Sequence, residues 1–304
     1  MDTSNNNSNK ISNGVNIIVL IKQVPDPEAI IKVSAKGGSA SGGNPDGQGL
    51  EIENKYVMNF FDELAVEEAL GIREKSGSGT VTVISLGPHR ALQALRTGIA
   101  MGADRAILIN DPALDNSDSY IVAKVLSQFI KSATGGSAVG TGKQEKDCNR
   151  KEKPDIILCG KEAMDDNACQ VGPAVAEFLG LPHLSNITKL DIADDKKTAR
   201  VERQIEGGKE IVECSLPAIF TTQKGINEPR VPLVTGVMKA MRAKIEEINL
   251  ATLGLSPDGH PGTRTRILKY YEPPRRTKVK IIDGELPDKV KNLVRLLREE
   301  AKVI

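Results

Sequence analysis

Aromatic residues, net charge and long apolar runs are all scarce in this chain of 304 residues. It has no Trp, and aromatic residues make up only 3% of it, so we expect no stacking platform for nucleic-acid bases. The net charge of +1 gives no electrostatic reason to expect nucleic acid or an anionic membrane as the main partner. No apolar run is long enough to span a bilayer, so we expect no insertion into a membrane.

Cysteine and histidine motifs are missing as well. The four cysteines include no C-x-x-C pair, and the three histidines lie far apart in the sequence. We therefore expect no zinc or iron–sulfur site, no catalytic triad and no catalysis by the chain alone. Residues 1–14 are rich in Asn and Ser, and they resemble neither a secretory signal nor a transit peptide. These features predict a disordered tail over residues 1–14 and a cytoplasmic protein with reduced thiols.

Strand-like and helix-like segments alternate through the first half of the chain. Helical patterns at residues 61–72, 92–99 and 118–130 separate short apolar runs of the kind that form strands buried on both faces. These runs are Val15–Ile21, Thr80–Leu86, Arg105–Ile109 and Asp155–Cys159. The alternation predicts an α/β fold with a doubly wound, mainly parallel sheet flanked by helices. Ligands of such sheets bind outside the carboxyl ends of the strands.

The rest of the chain divides around this α/β domain, which we place at residues 15–249. Two Gly-rich segments near 34–49 and 135–153 are interpreted as surface insertions, and Gly207-Gly208 with its flanking runs predicts a β-hairpin. At 250–304, prolines indicate an extended arm that ends in a helix from about Pro287. The apolar face of that helix either folds back or docks on another subunit.

The segment Gly160–Pro173 has features of a phosphate-binding loop. It follows a predicted strand and opens a helix, where backbone N–H groups and the helix dipole suit a phosphate. Gly172 would allow close approach of the phosphate, and Pro173 is favourable in a first helical turn. The adjacent Asp165 and Asp166 would repel a phosphate, so we expect them to turn towards a ribose or backbone donors. The alternative is a capped helix without a ligand.

Several motifs that occur in a fixed order resemble the β-subunit family of electron-transfer flavoproteins. They are Leu20–Asp26, Met58–Ala69, Arg96–Arg105, Val201–Arg203, Glu206–Gly208, Leu216–Ala218, Asn227–Arg230 and Met238–Ala240. The resemblance covers residues 16–304 apart from the two insertions. It implies a heterodimer with a larger α subunit that holds most of the FAD, while this chain buries a structural AMP. It also implies electron transfer from dehydrogenases, such as the acyl-CoA dehydrogenases of fatty acid oxidation, to a membrane quinone reductase.

The resemblance further implies which residues bind the nucleotide. They are Leu20, Asn59, Phe60, Phe61, Asp62, Leu86, Gly160, Ala163, Asp165, Asp166, Asn167, Cys169, Gln170 and Val171. The residues from Asn59 to Asp62 match positions that face the adenine, although Phe60 stands where AMP-binding members usually have Pro. Asn59 alone is also a typical helix N-cap. The loop Val24–Pro27 matches one near the partner's flavin, or it is a simple turn.

The segment Asn227–Lys239 is expected to be a docking loop. Family members anchor dehydrogenases there through a Leu, whose position falls on Val234 in this chain, with Leu233 beside it. Without the resemblance, packing of this loop into the core is favoured. We interpret Glu67-Glu68 as part of a solvated helix face.

Two alternative functions stay open. In the electron-bifurcating type, the β subunit binds a second FAD in place of AMP and uses NADH. Gln170–Pro173 resembles that type, whereas Asn59–Glu63 and Arg96–Arg105 resemble the AMP-binding type. The other alternative is a stand-alone adenine-nucleotide sensor, which leaves the C-terminal arm and Asn227–Arg230 unexplained.

Overall fold

The computed structural model describes residues 14–34, 49–133, 153–255, 263–274 and 279–304. The predicted tail, except for Gly14, and nearly all of the two predicted insertions lie outside these ranges.

The described chain forms two units that divide at Tyr270. The strands are β1 Val15–Leu20, β2 Gln23–Pro25, β3 Ile31–Ser34, β4 Gly49–Ile52, β5 Tyr56–Met58, β6 Gly79–Leu86, β7 Arg105–Ile109, β8 Ile156–Gly160, β9 His183–Ile192, β10 Thr198–Ile205, β11 Gly208–Ser215, β12 Ala218–Thr222 and β13 Glu246–Ile248. The α-helices are α1 Phe60–Ser76, α2 Leu92–Met101, α3 Ser119–Ala133, α4 Val171–Leu179, α5 Val234–Arg242 and α6 Leu286–Glu299.

A nine-stranded sheet in the order β11-β10-β9-β12-β8-β1-β6-β7-β13 organises the larger unit. The seven strands β9, β12, β8, β1, β6, β7 and β13 are all parallel to their neighbours in this part of the sheet. The strands β10 and β11 add an antiparallel hairpin at the edge next to β9. The predicted doubly wound, mainly parallel sheet is therefore confirmed. The hairpin around Gly207-Gly208 is confirmed as β10 and β11.

The order of the strands reverses at β1. From β1 the chain passes to β6 and β7 on one side, and it then returns to β8 on the other side of β1. Ligands of doubly wound sheets bind at such a switch point, in the crevice beyond the carboxyl ends of the strands. In this chain the crevice lies beyond Leu20 of β1 and Gly160 of β8, which are adjacent strands.

Apolar residues are buried on both faces of the sheet. One core cluster includes Leu70 of α1 and Leu95 of α2, and the other includes Phe129 of α3 and Val175 of α4. Burying each such side chain stabilises the fold by about 1.5–3 kcal/mol. Burial on both faces explains why the central strands are almost continuously apolar in sequence.

Short elements were not predicted from the sequence. Gln23–Pro25 forms β2 and pairs with β5, so Val24 and Pro25 of the predicted loop or turn Val24–Pro27 lie in a short strand. Ser34 and Gly49, the ends of the first predicted insertion, pair with each other in the β3–β4 ladder. Strands of three or four residues are too short to show a readable period. The helix α5 and the strand β13 were missed as well.

The prediction of a final helix is confirmed by α6, which has Pro287 in its first turn. None of its residues is buried, and its apolar side chains Val290, Leu293 and Val294 are exposed. In the larger unit, the backbone N–H groups of Arg264 and Thr265 donate to Asp118 at the start of α3. Among the described helices, none is long and apolar enough to cross a membrane.

Candidate functional site

The residues predicted to bind a nucleotide converge on the switch point. Leu20 ends β1, with Gly160 of β8 on one side and Leu86 of β6 on the other. The N-terminal end of α1, at Asn59 to Asp62, contacts both the end of β8 and the loop after it. The fold thus joins three distant parts of the sequence at one end of the sheet.

Asp62 is a buried carboxylate that joins the ends of two strands. Its Oδ2 accepts a hydrogen bond from the backbone N–H of Lys22 at 2.7 Å, and its Oδ1 accepts one from Gly160 at 2.8 Å. Burial raises the pKa of Asp62 to about 7, against the opposing effect of these hydrogen bonds and of the Lys22 charge. The carboxyl group therefore titrates near neutral pH.

Asn59 stands at the N-cap position of α1, but its side chain does not cap the helix. Its Nδ2 donates to the carbonyl oxygen of Glu162 at 2.8 Å, and its Oδ1 accepts from the N–H of Met164 at 3.1 Å. The interpretation of this side chain as a plain N-cap is wrong. Both of its polar ends bind the loop that follows β8.

The start of α1 packs tightly on the end of β8. A Cβ atom added at Gly160 would lie 2.6 Å from both Oδ1 of Asp62 and Cβ of Phe61, so only glycine fits there. The rings of Phe60 and Phe61 meet edge to face, with centroids 5.5 Å apart. The Nζ of Lys161 lies 4.9 Å from the centroid of the Phe61 ring.

Asp165 and Asp166 turn towards Lys22. Its Nζ lies 2.7 Å from Oδ1 of Asp165 and 3.0 Å from Oδ2 of Asp166. Burial by itself lowers the pKa of Lys22, but the charges and hydrogen bonds of the two carboxylates outweigh burial and raise it. Oδ1 of Asp166 also accepts from the backbone N–H of Ala168 at 3.0 Å, which is the kind of backbone donor expected for these carboxylates. Within the described ranges, no group of three His, Cys, Asp or Glu side chains could hold a metal ion.

The remaining predicted phosphate-contacting residues lead into α4. The carbonyl oxygen of Ala163 accepts from the N–H of Asn167, and Asn167 and Cys169 both adopt the left-handed backbone conformation. Gln170 stands at the N-cap position of α4 without a side-chain cap, and Val171 begins the helix. An uncapped helix start offers N–H groups and a positive dipole end to an anion.

Gly172 has a different role from the predicted one. A Cβ atom there would lie 2.7 Å from Cγ2 of Thr221 and 3.0 Å from Sγ of Cys159. These atoms belong to β12 and β8, so the bare backbone lets α4 approach the sheet. The prediction that Gly172 makes room for a phosphate is wrong.

The Asn-Glu-Pro-Arg motif is fixed on α1 by acidic side chains. Arg230 donates through Nε and Nη2 to Glu67 at 2.8 and 2.9 Å and through Nη1 to Glu74 at 2.7 Å. Asn227 donates to Oε2 of Glu68 at 2.9 Å. The interpretation of Glu67-Glu68 as a solvated face is wrong, because both residues bind this motif.

The segment after this motif is the helix α5 rather than a continuous loop. A Cβ atom at Gly236 would overlap the carbonyl oxygen of Ala100, so α5 packs directly on the backbone of α2. Ala240 is buried on the same side, and Arg96 of α2 donates to the carbonyl oxygens of Ala240 and Met241. These contacts fix α5 from both ends.

The opposite side of α5 exposes apolar residues. Leu233 and Val234 are 75% and 77% exposed, so the alternative that they pack into the core is wrong. Val237, Met238 and Met241 are exposed as well. Val237 and Met238 fall within the predicted docking segment Asn227–Lys239, whereas Met241 lies beyond it. Together these five residues form what we call the α5 apolar surface. These residues recur every three or four positions, which is typical of one face of an amphipathic helix. This spacing is the sequence signal by which α5 could have been predicted.

Comparison with known proteins identifies clear relatives. Residues 50–253 match the family model "Electron transfer flavoprotein domain". The chain is 36% identical to "Electron transfer flavoprotein subunit beta" of Bacillus subtilis, a match that covers 95% of this chain and 100% of that protein. It is 36% identical to the protein of the same name from Thermoanaerobacterium thermosaccharolyticum, over 93% of this chain and 98% of that protein. It is 32% identical to "Electron transfer flavoprotein subunit beta, mitochondrial" of Arabidopsis thaliana, over 95% of this chain and 99% of that protein.

Proposed function

The chain belongs to the β-subunit family of electron transfer flavoproteins, and from this membership we propose that it binds an adenine nucleotide and docks dehydrogenases. Its role is in flavin-linked electron transfer, and its partner is an α subunit. We propose that electrons pass from dehydrogenases such as acyl-CoA dehydrogenases through this heterodimer to a membrane quinone reductase. The FAD would lie mainly in the α subunit, and this cytoplasmic chain would carry no catalysis of its own.

The observation that carries the nucleotide proposal is the convergence of Leu20, Leu86, Gly160 and the start of α1 at the switch point. Two features fit an AMP there: the uncapped start of α4 for the phosphate, and apolar Leu20 and Leu86 at the strand ends. Ser85, next to Leu86, is also buried with its hydroxyl unpaired within the protein. Both polar ends of the Asn59 side chain and its backbone N–H already bind the protein, so we expect no hydrogen bond from them to the base.

The nucleotides that the purified heterodimer releases on denaturation test this proposal. We expect one FAD and one AMP for each heterodimer, because the start of α1 and the segment Arg96–Arg105 resemble the AMP-binding type. Two FAD and no AMP would instead indicate the bifurcating type. Purification without any flavin-containing larger chain would favour the stand-alone sensor.

We propose that the α5 apolar surface is where dehydrogenases dock. An exposed apolar helix face is typical of such sites. Its attachment to α2 through Gly236 and Arg96, and to α1 through Arg230, fixes it before a partner arrives. A surface that is already ordered loses less entropy on binding.

Replacement of both Leu233 and Val234 by Asp tests the docking proposal. Reduction of the heterodimer by an acyl-CoA dehydrogenase should fall at least about tenfold, which needs only about 1.4 kcal/mol of lost binding. The nucleotide content should stay unchanged. A matched control changes the exposed Ile205 and Ile211 of the β10–β11 hairpin to Asp and should keep the rate. Loss of flavin together with activity would contradict a docking role.

We also propose that the C-terminal arm binds the α subunit. The support is the amphipathic helix α6, whose Val290, Leu293 and Val294 are all exposed. Burying this face on a partner would contribute several kcal/mol, at about 25 cal/mol for each Å² of apolar surface.

A further inference from the structure

The N-terminal end of α1 connects the two loops that border the switch point. Asp62 receives the backbone N–H groups of Lys22 and Gly160, one on each carboxylate oxygen. Asn59 adds bonds to both loops, because its own N–H donates to the carbonyl oxygen of Lys22 at 2.9 Å while its side chain binds Glu162 and Met164. These contacts set the distance between the loop after β1 and the loop after β8.

The geometry around Asp62 is that of an ionised carboxylate. Each oxygen of this buried side chain accepts a hydrogen bond from a backbone N–H. Protonation would turn one oxygen into an O–H donor, which would weaken its hydrogen bond from Lys22 or Gly160 and would add a donor where the protein already places one. Leaving a buried donor unpaired is unfavourable, so the loops would move apart or rearrange.

The charged and titratable groups that face Asp62 do not replace it. Lys22 approaches from the loop after β1, and its ammonium is already paired with Asp165 and Asp166. Cys159 approaches from β8, and burial together with the Asp62 charge raises the pKa of its thiol, which keeps it protonated at neutral pH. Asp62 is therefore the group at this junction that changes charge near pH 7.

We propose that Asp62 is a positioning residue whose carboxylate form sets the width of the crevice at the switch point, so that this chain holds its nucleotide more tightly when Asp62 is ionised. The inference rests on the proposed nucleotide site. Asp62 does not need to touch the ligand, because both of its oxygens are occupied by the protein.

The sign of the pH effect separates this role from a general effect on folding. Asp62 has a folded-state pKa of about 7, above its ordinary value of 3.8. The contribution of Asp62 to folding stability is therefore present at low pH and is lost as the pH rises through about 7. Acidification favours the folded chain through this group but weakens nucleotide binding. Nucleotide loss at mildly acidic pH therefore cannot be caused by unfolding through Asp62.

Equilibrium dialysis of AMP against the nucleotide-free heterodimer tests the proposal, with FAD as a second probe. A group with a pKa near 7 is only about one-tenth ionised at about pH 6, so Asp62 should make the dissociation constant about tenfold higher there than at about pH 8. This change adds to the one that comes from the phosphate of AMP, whose second pKa is about 6. A dissociation constant that is equal at the two pH values would refute the role of Asp62. Absence of AMP binding and of a second FAD for each heterodimer at every pH would refute the nucleotide site itself, and this inference with it.

Three variants sharpen the experiment. Asp62→Asn keeps the size of the side chain but cannot accept on both sides, so its affinity should be reduced at about pH 8 and should change with pH only as far as the phosphate of AMP titrates. Asn59→Ala should bind more weakly while keeping the pH dependence. Asp155→Asn is the matched control. Asp155 accepts from the N–H of Asn16 at the other end of β1 and β8, away from the switch point. This control should match the wild type, and a pH dependence as large in Asp62→Asn as in the wild type would overturn the proposal.

Discussion

Replacing Gly236 by Ala tests how α5 is held on α2. The added Cβ atom would overlap the carbonyl oxygen of Ala100. A backbone oxygen cannot avoid this contact by changing rotamer, so α5 must move away from α2. Gly71 in α1 is the matched control, because it is also a helical glycine and an added Cβ atom meets nothing within 4 Å.

The two changes should shift the free energy of unfolding in opposite directions. Gly71→Ala restricts the unfolded chain and should stabilise the protein by about 0.5–1 kcal/mol. Gly236→Ala restricts the unfolded chain to the same extent, but overpacking against α2 lowers the free energy of unfolding by about 1–3 kcal/mol. The movement of α5 also weakens the hydrogen bonds from Arg96 to Ala240 and Met241. The two variants should therefore differ by about 2–4 kcal/mol.

Urea unfolding followed by circular dichroism measures this difference. Reduction of the heterodimer by an acyl-CoA dehydrogenase adds a functional measurement, because a displaced α5 no longer presents the α5 apolar surface correctly. Gly236→Ala should slow reduction, whereas Gly71→Ala should leave it unchanged. A Gly236→Ala protein as stable as Gly71→Ala would refute the direct packing of α5 on the backbone of α2.

Three other changes test separate parts of the chain. Arg230→Gln should lower the free energy of unfolding by about 1–2 kcal/mol, a modest value because the ion pairs are partly exposed, and an unchanged urea midpoint would contradict the contacts with α1. Gly172→Val should destabilise the fold by about 1–3 kcal/mol through overlap with Thr221, and nucleotide loss at a wild-type unfolding midpoint would restore a phosphate role for Gly172. Truncation after Gly262 should leave a folded chain that no longer holds the α subunit in gel filtration, and normal heterodimer formation would contradict docking by the arm.

Local sequence patterns determined the architecture of this protein. The apolar runs at β1, β6, β7 and β8, separated by helical stripes, were enough to predict the doubly wound sheet, because burial on both faces leaves a direct trace in the sequence. A doubly wound sheet places its ligand crevice at the carboxyl ends of the strands. The alternation therefore predicted at which edge of the sheet a ligand would bind, whereas the site residues themselves came from the resemblance to the family.

Only the tertiary structure decided what individual polar and glycine residues do there. Asp62 binds Gly160, and Glu67 binds Arg230, across separations of 98 and 163 residues. Gly172 faces Thr221 because β12 lies beside β8 in the sheet. Periodicity shows which face of an element is apolar, but a hydrogen bond or a close contact depends on which strands become neighbours. That order is set by packing of the whole domain, so no local pattern in the sequence contains it.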